Sequence, residues 1–376
     1  MRFLRRPYVY AALFSFLLAA VFVFTLLDAF VIPKAMQAVA QNDAPRLPFV
    51  SERMPEEAAA EIFLPDMADK ANKEEAAESE NESDPVIAAA LNENGAPPSV
   101  LEQTPEAAAN ISPPDKTEDM EDVKEEAAEP ASKAAPVVTA DSYKDENIEI
   151  SIEKTRLYNT DVYIADVRIV SIDYLKTAFA RNIYGRNINE RTSVIAERKA
   201  AILAINGDFY GFRDSGWVLR NGVVYRTGRN DTALLMDMAG GLSIGSDRAS
   251  IEKRIPELRQ IWSFGPPLVV NGAIAVTEHQ EISGRSSISN PRTAIGQAGD
   301  LHYVFIVSDG RTGTSAGLSL YELAAAFRER GCAIAYNLDG GGSSAMYFNG
   351  RIVNRPTTGG NRIMEREVSD IVYIGY

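Results

Sequence analysis

Residues 302–339, HYVFIVSDGRTGTSAGLSLYELAAAFRERGCAIAYNLD, place a helix-spaced segment between two short apolar runs, and this arrangement decides the fold. The central segment has Ser319 as N-cap with Glu322 three residues later, a stripe of Leu320, Leu323, Ala324 and Phe327, and Gly331 as its stop. The flanking runs, HYVFIVS and AIAYNL, are too short for helices and read as buried strands. Strand, helix and strand together make a βαβ unit with parallel strands. Both strands then end at a carboxylate, Asp309 and Asp339, which puts the two acids at one sheet edge, where ligand crevices form in such sheets. A third strand, AAILAI, runs into Asn206-Gly207-Asp208 and ends in the same punctuation.

The neighbouring segments extend this frame. RTAIG and HYVFIV are joined by the short turn Gln297–Asp300 and pair antiparallel, which carries Arg292 beside Asp309. A guanidinium among carboxylates invites a planar anion such as phosphate, although the same pair would also serve as an ion pair that closes the sheet. Asn221-Gly222, Asn271-Gly272 and Asn349-Gly350 each sit between strand-like flanks, and each is a two-residue hairpin signal because a type I′ turn needs positive φ at both centres. TALLMDMAGGLSIG reads as a fourth hairpin, and NIEISIEKTRLY and DVYIADVRIVSI alternate as strands do. TSVIAERKA is a short second helix. Residues 146–376 thus form an α+β domain, a β-rich mixed sheet with several hairpins and one βαβ unit.

Ahead of it the chain changes character twice. Three arginines precede an apolar run from Tyr8 to Leu27, long enough to cross a hydrocarbon layer of roughly 30 Å. Residues 1–40 therefore read as a cytoplasmic tip and a single-pass anchor, with the rest of the chain outside the cell membrane. The alternative is a secreted protein released at the small residues Ala38, Val39 and Ala40. Residues 41–145 form a disordered acidic linker that holds the domain away from the membrane. Its first hundred residues carry 24 of the 52 acidic residues, 12 of the 19 prolines and only Phe49 and Phe63 as aromatics, too little apolar surface to offset the entropy of ordering. The remaining 141–376 hold 27 acidic and 27 basic residues, so the chain's acidity says nothing about substrate and no basic excess marks a nucleic-acid partner.

The glycines after Asp339 raise a chemical question. A tight turn into the next strand needs one glycine, whereas Gly340, Gly341 and Gly342 let main chain approach a ligand without Cβ atoms. Their amides, with Ser343, suit an anion-binding nest. No lysine follows as in a nucleotide-binding GxxxxGKS/T loop, and Ser343 is not in a GxSxG elbow, so neither nucleotide cofactor nor serine nucleophile is expected. The two histidines give little support to a triad or to a metal-dependent phosphodiesterase: His302 shares a strand face with Val304 and Ile306, and His279 lies in a polar loop. No cofactor and no metal are expected, and Cys332 is read as a buried inert thiol. Asp339, Asp309 and Asp208 are the candidate catalytic acids. Asn206, Arg292, Arg311, the three glycines and Ser343 are candidate substrate contacts, with Glu322 added because it starts the helix near Asp309.

INGDFYG (205–211), NPRTAIG (290–296), SDGR (308–311), NLDGGGSSAM (337–346) and the ending EREVSDIVYI (365–374) together resemble the phosphodiester glycosidase family, in the family's order. The family pattern has Asn-Gly-Gly where this chain has Asp208 in the third place. The resemblance implies hydrolysis of a sugar-1-phosphodiester at the glycosidic side, with a sugar and a phosphomonoester as products and a cell-envelope or exopolysaccharide glycan as the setting. The phosphate is already a good leaving group, so arginines would stabilise it while a carboxylate, Asp339 with Asp309 or Asp208 as partner, attacks C1 or activates water. The competing expectation is a noncatalytic module that binds anionic surface polysaccharide with the same arginines and glycines.

Overall fold

The computed structural model describes residues 7–39, 135–229, 232–279, 289–359 and 362–376. The body is β-rich, with strands in one nine-stranded sheet, two five-stranded sheets and two short ribbons. The acidic segment falls outside the described residues as far as 134. Its last part is folded, because Val137–Val138 and Ser142–Lys144 are the outer strands of the large sheet, on the N-terminal side of the expected boundary at 146.

Local chemistry accounts for the connections. Asn221 and Gly222 have φ of 50° and 80°, Asn271 and Gly272 51° and 75°, and Asn349 and Gly350 43° and 87°. These are the paired positive values a type I′ hairpin requires. The fourth hairpin joins Ala233–Asp237 to Leu242–Gly245 with Met236 opposite Leu242. The long pair Ile148–Leu157 and Thr160–Ile169 closes through Tyr158 and Asn159, both at positive φ. Strand Thr293–Gly299 runs farther than its apolar core, so the turn to His302–Ser308 shrinks to Asp300 and Leu301.

Strands His302–Ser308 and Ile334–Asn337 do run parallel, with Thr293–Gly299 inserted between them and antiparallel to both. Helix Leu320–Glu329 covers one face. Leu320, Leu323, Ala324 and Phe327 pack there with Val304, Ile306, Val162 and Ile164. The alternate residues Tyr303, Phe305 and Val307 point to the other face and join Leu203, Ile205, Met346, Phe348, Leu234 and Trp262 from the two smaller sheets. Burial on both faces explains the unbroken apolar run of this strand.

One smaller sheet decides where the site lies. It contains Leu203–Asn206, Asp370–Ile374 and Met346–Phe348, all paired antiparallel. Since Ile334–Asn337 belongs to the large sheet and Met346–Phe348 to this one, the triple-glycine loop is the crossing between sheets.

Candidate active site

Asn206 ties the ends of that crossing. Its Nδ2 donates to the Asp339 carbonyl at 2.6 Å, and its Oδ1 accepts from the Ala345 amide at 3.2 Å and the Thr293 hydroxyl at 2.7 Å. Asn206 is fully buried, so its contribution is to shape the loop. The Asp339 amide donates to the Gly207 carbonyl at 3.1 Å, which locks the ends of the two strands together.

Three different segments press on the glycines. A Cβ on Gly340 would lie 2.9 Å from the Pro291 carbonyl oxygen, one on Gly341 2.8 Å from an Arg311 guanidinium nitrogen, and one on Gly342 2.9 Å from the Thr358 hydroxyl. Gly341 also sits at φ 62°. Part of the expected amide nest is already engaged, because Gly341, Ser343 and Ser344 donate to the carbonyls of Pro291, Gly340 and Gly341. Further anion-seeking groups come from side chains.

Arg292 is nearly buried, its amide bonded to the Ser308 hydroxyl and its Nε to the Leu318 carbonyl, both at 2.9 Å. The hairpin register, with Thr293 opposite Val307, brings the Arg292 main chain against Ser308, the residue before Asp309. Burial, with the Arg311 guanidinium nearby, lowers its pKa to about 10. Burial and Arg366 in turn lower Arg311, whose Nε donates to Asn290 Oδ1 at 3.2 Å. Arg366 donates to the Ser343 hydroxyl at 2.6 and 2.9 Å and to Asp339 Oδ2 at 3.2 Å. Three mutually repelling cations thus stand around one loop.

The two acids hold protons more firmly than usual. Burial raises the pKa of Asp339, opposed by Arg366 and the Ser343 hydroxyl. Burial also raises Asp309, opposed by the Arg355 amide at 2.7 Å and Asn354 Nδ2 at 3.4 Å. The same Asn354 amide donates to the Ser344 carbonyl at 3.0 Å, so one side chain links Asp309 to the end of the glycine loop. Asp339, in contact with Arg366, and Asp309, tied through Asn354 to the end of the loop, are carboxyls suited to proton transfer.

Two expected site residues are held by partners of their own, although the Asp208 charge also helps to raise the Asp339 pKa. Glu322 closes the capping box of its helix, accepting from the Ser319 amide at 2.8 Å while Ser319 accepts from the Glu322 amide. Asp208 is enclosed by donors: the Phe209 amide at 2.6 Å, Arg213 at 2.7 Å, the Ser263 amide at 3.1 Å and Arg220 at 3.8 Å. It belongs to a buried network in which Arg220 Nε meets Asp370 Oδ2 at 2.7 Å and the Asp208 amide meets Asp370 Oδ1 at 2.8 Å. Burial raises the Asp370 pKa to about 6 against the pull of Arg220. A hollow of about 210 Å³, whose lining includes Thr177, Phe179, Lys199, Arg220, Asn221 and Tyr225, contains none of Asp309, Asp339, Arg292, Arg311 or Arg366.

The sequence alone gives no role to Arg366, Asn354, Arg220 or Asp370. Arg366 and Asp370 lie in the quoted motif EREVSD, which is a usable signal, whereas Asn354 and Arg220 have none.

Comparison with known proteins follows the same residues. The family described as phosphodiester glycosidase matches 199–375. The SPbeta prophage-derived uncharacterized protein YomE of Bacillus subtilis is 31% identical over 195 residues, 48% of this chain and 29% of that protein. N-acetylglucosamine-1-phosphodiester alpha-N-acetylglucosaminidase of Mus musculus is 32% identical over 101 residues, 24% of this chain and 19% of the mouse protein. The chain thus spans less than a third of either relative. Among solved structures, a hypothetical protein from Synechocystis shares the fold with a TM-score of 0.50 at 15% identity, over 61% of this chain and 62% of that one. The catalytic domain of the zebrafish alpha-N-acetylglucosaminidase aligns with a TM-score of 0.49 at 18% identity, over 61% and 83% of the two chains. Residues 199–375 are accordingly the part of the chain that matches the phosphodiester glycosidase family.

Proposed function

We propose that this domain hydrolyses the glycosidic bond of a sugar-1-phosphodiester in a cell-envelope or exopolysaccharide glycan, releasing a sugar and a phosphomonoester. The observation that carries the reading is the convergence of Arg292, Arg311 and Arg366 on the loop that bears Asp339. Three guanidiniums around one loop suit an anionic group, and a diester phosphate supplies one.

In this scheme the C1–O bond breaks with its electron pair leaving on the phosphate oxygen, where the guanidiniums stabilise the developing charge. Water adds its oxygen to C1 and gives up a proton, and the carboxyls of Asp339 and Asp309 handle that proton and face the positive charge that grows on the ring. Asn206, Asn354 and Ser343 position the acids, and Asp208 holds the adjoining loop. The apolar segment Tyr10–Asp28, of mean hydropathy 2.4, anchors the chain in the cell membrane with the domain outside.

Incubating the chain with a panel of sugar-1-phosphodiesters and weighing the products tests the reaction: free sugar plus phosphomonoester is expected, and phosphate retained on the sugar refutes it. The cation cluster equally suits a noncatalytic binding module for anionic surface polysaccharide, so Asp339→Asn separates the readings. An enzyme loses turnover by about 10²- to 10⁴-fold and keeps ligand binding, whereas a binding module has no turnover to lose.

A further inference from the structure

The chain does not leave the domain alone where the apolar helix Pro7–Phe30 ends. Lys34–Ala35 pairs antiparallel with Gly185–Arg186, with Lys34 opposite Arg186 and Ala35 opposite Gly185. The Met36 amide donates to the Tyr184 carbonyl and the Val39 amide to the Val224 carbonyl, both at 2.8 Å, and Asn187 Nδ2 donates to the Ile32 carbonyl at 3.1 Å. Gly185 is cut to fit: a Cβ there would collide with the Lys34 carbonyl oxygen. The receiving segment is built into the domain through the Asn187 amide to the Gly211 carbonyl at 3.2 Å and Arg186 to Asp214 at 2.8 Å. Exposed apolar side chains surround the seam: Val31, Ile32 and Met36 on the strand, with Ile183 and Phe212 on the domain.

We propose that residues 31–39 are a docking strand that holds the domain against the membrane exit of the helix, so the site works at the membrane surface and not at the far end of a long tether. The inference rests on the anchor reading of Tyr10–Asp28 and is independent of the reaction catalysed. Main-chain pairing in a two-stranded ribbon supplies the affinity and the glycine supplies the fit. Such a short strand would bind weakly as a separate peptide. Joined through residues 40–134 it returns at an effective concentration on the order of millimolar, because loop-closure entropy grows only slowly with length.

The test uses the full-length chain with Lys34→Cys and Arg186→Cys. Directly opposed strand residues lie within disulfide reach, and the native Cys332 is buried. A protease site is placed near residue 90 in the same chain. Mild oxidation is expected to give a bond that keeps the two fragments together on a non-reducing gel after cutting, with yield roughly tenfold above a Lys34→Cys, Arg351→Cys control pair. Fluorophore at Phe212→Cys is expected to be quenched by spin-labelled lipid headgroups. Cross-linking no better than the control, in a chain that still sediments with membranes, overturns the docking strand and leaves the anchor standing. A chain recovered without residues 1–39 overturns both.

Discussion

Replacing Arg220 by methionine probes the support on which the Asn206–Asp208 segment rests. Arg220 and Asp370 are almost completely buried and meet at 2.7 Å, and Arg220 also donates to the Leu219 and Ile261 carbonyls. Removing one member of such a pair strands the other charge and costs about 3–5 kcal/mol, far more than an exposed ion pair. For a domain of this size the urea dependence is about 2–3 kcal/mol per molar, so the midpoint should fall by roughly 1–2 M. Trp217 and Trp262, the chain's two tryptophans, are both buried, and Trp262 lies 5.5 Å from the Arg220 guanidinium, so intrinsic fluorescence reports the transition directly. Arg220→Met with Asp370→Asn removes both charges and should recover about 2 kcal/mol or more of the loss. A single-variant midpoint within about 0.3 M of the parent, or a double variant no better than the sum of its parts, would show that the pair carries no net coupling and refute the reasoning.

The same network gives a pH signature. The folded Asp370 pKa of about 6 stands above its ordinary value of 3.8, so its contribution favours the fold at low pH and is lost as pH rises from about 4 through 6, on the order of 3 kcal/mol in all. Denaturation midpoints at several pH values should lose that slope in Asp370→Asn. Arg366→Ala removes a group that lowers the Asp339 pKa, so the acid limb of the pH–rate profile should move to higher pH, and an unmoved limb would count against Asp339 as the titrating acid. Glu322→Ala should reduce stability by about 1 kcal/mol with kcat unchanged, since the capping box is its work. Gly342→Ala should impair turnover, with partial rescue by Thr358→Ala, because the added methyl meets the Thr358 side chain at 2.9 and 3.2 Å. Failure of rescue would place the damage elsewhere.

What the sequence reveals here divides by range. The Asn-Gly hairpins are legible because a type I′ turn is decided by two residues. The pairing of the Arg292 main chain with Ser308 is legible because one short hairpin fixes the register between them. The helix cap is legible too, and Glu322 takes the capping role that its spacing implies. The parallel relation of the two flanking strands can be read, whereas the strand inserted between them requires knowledge of the whole sheet. Asp208 looks like a free acid in sequence because Ser263 and Arg220, which join the nearby Arg213 around it, arrive from other segments. Arg366 and Asn354 reach the loop from beyond the next hairpin, and Lys34 meets Arg186 across some 150 residues of chain. No periodicity encodes such partners.

The glycine loop's position as a bridge between two sheets has a consequence for how activity appears during folding. Neither sheet can shape the loop alone: Asn206 and Gly207 hold it from one, and Pro291 and Thr293 from the other. A chain with only one layer formed has strands and a hydrophobic face, yet no pocket chemistry. Recovery of turnover after denaturation should therefore lag behind recovery of secondary structure and coincide with the moment the layers close on each other.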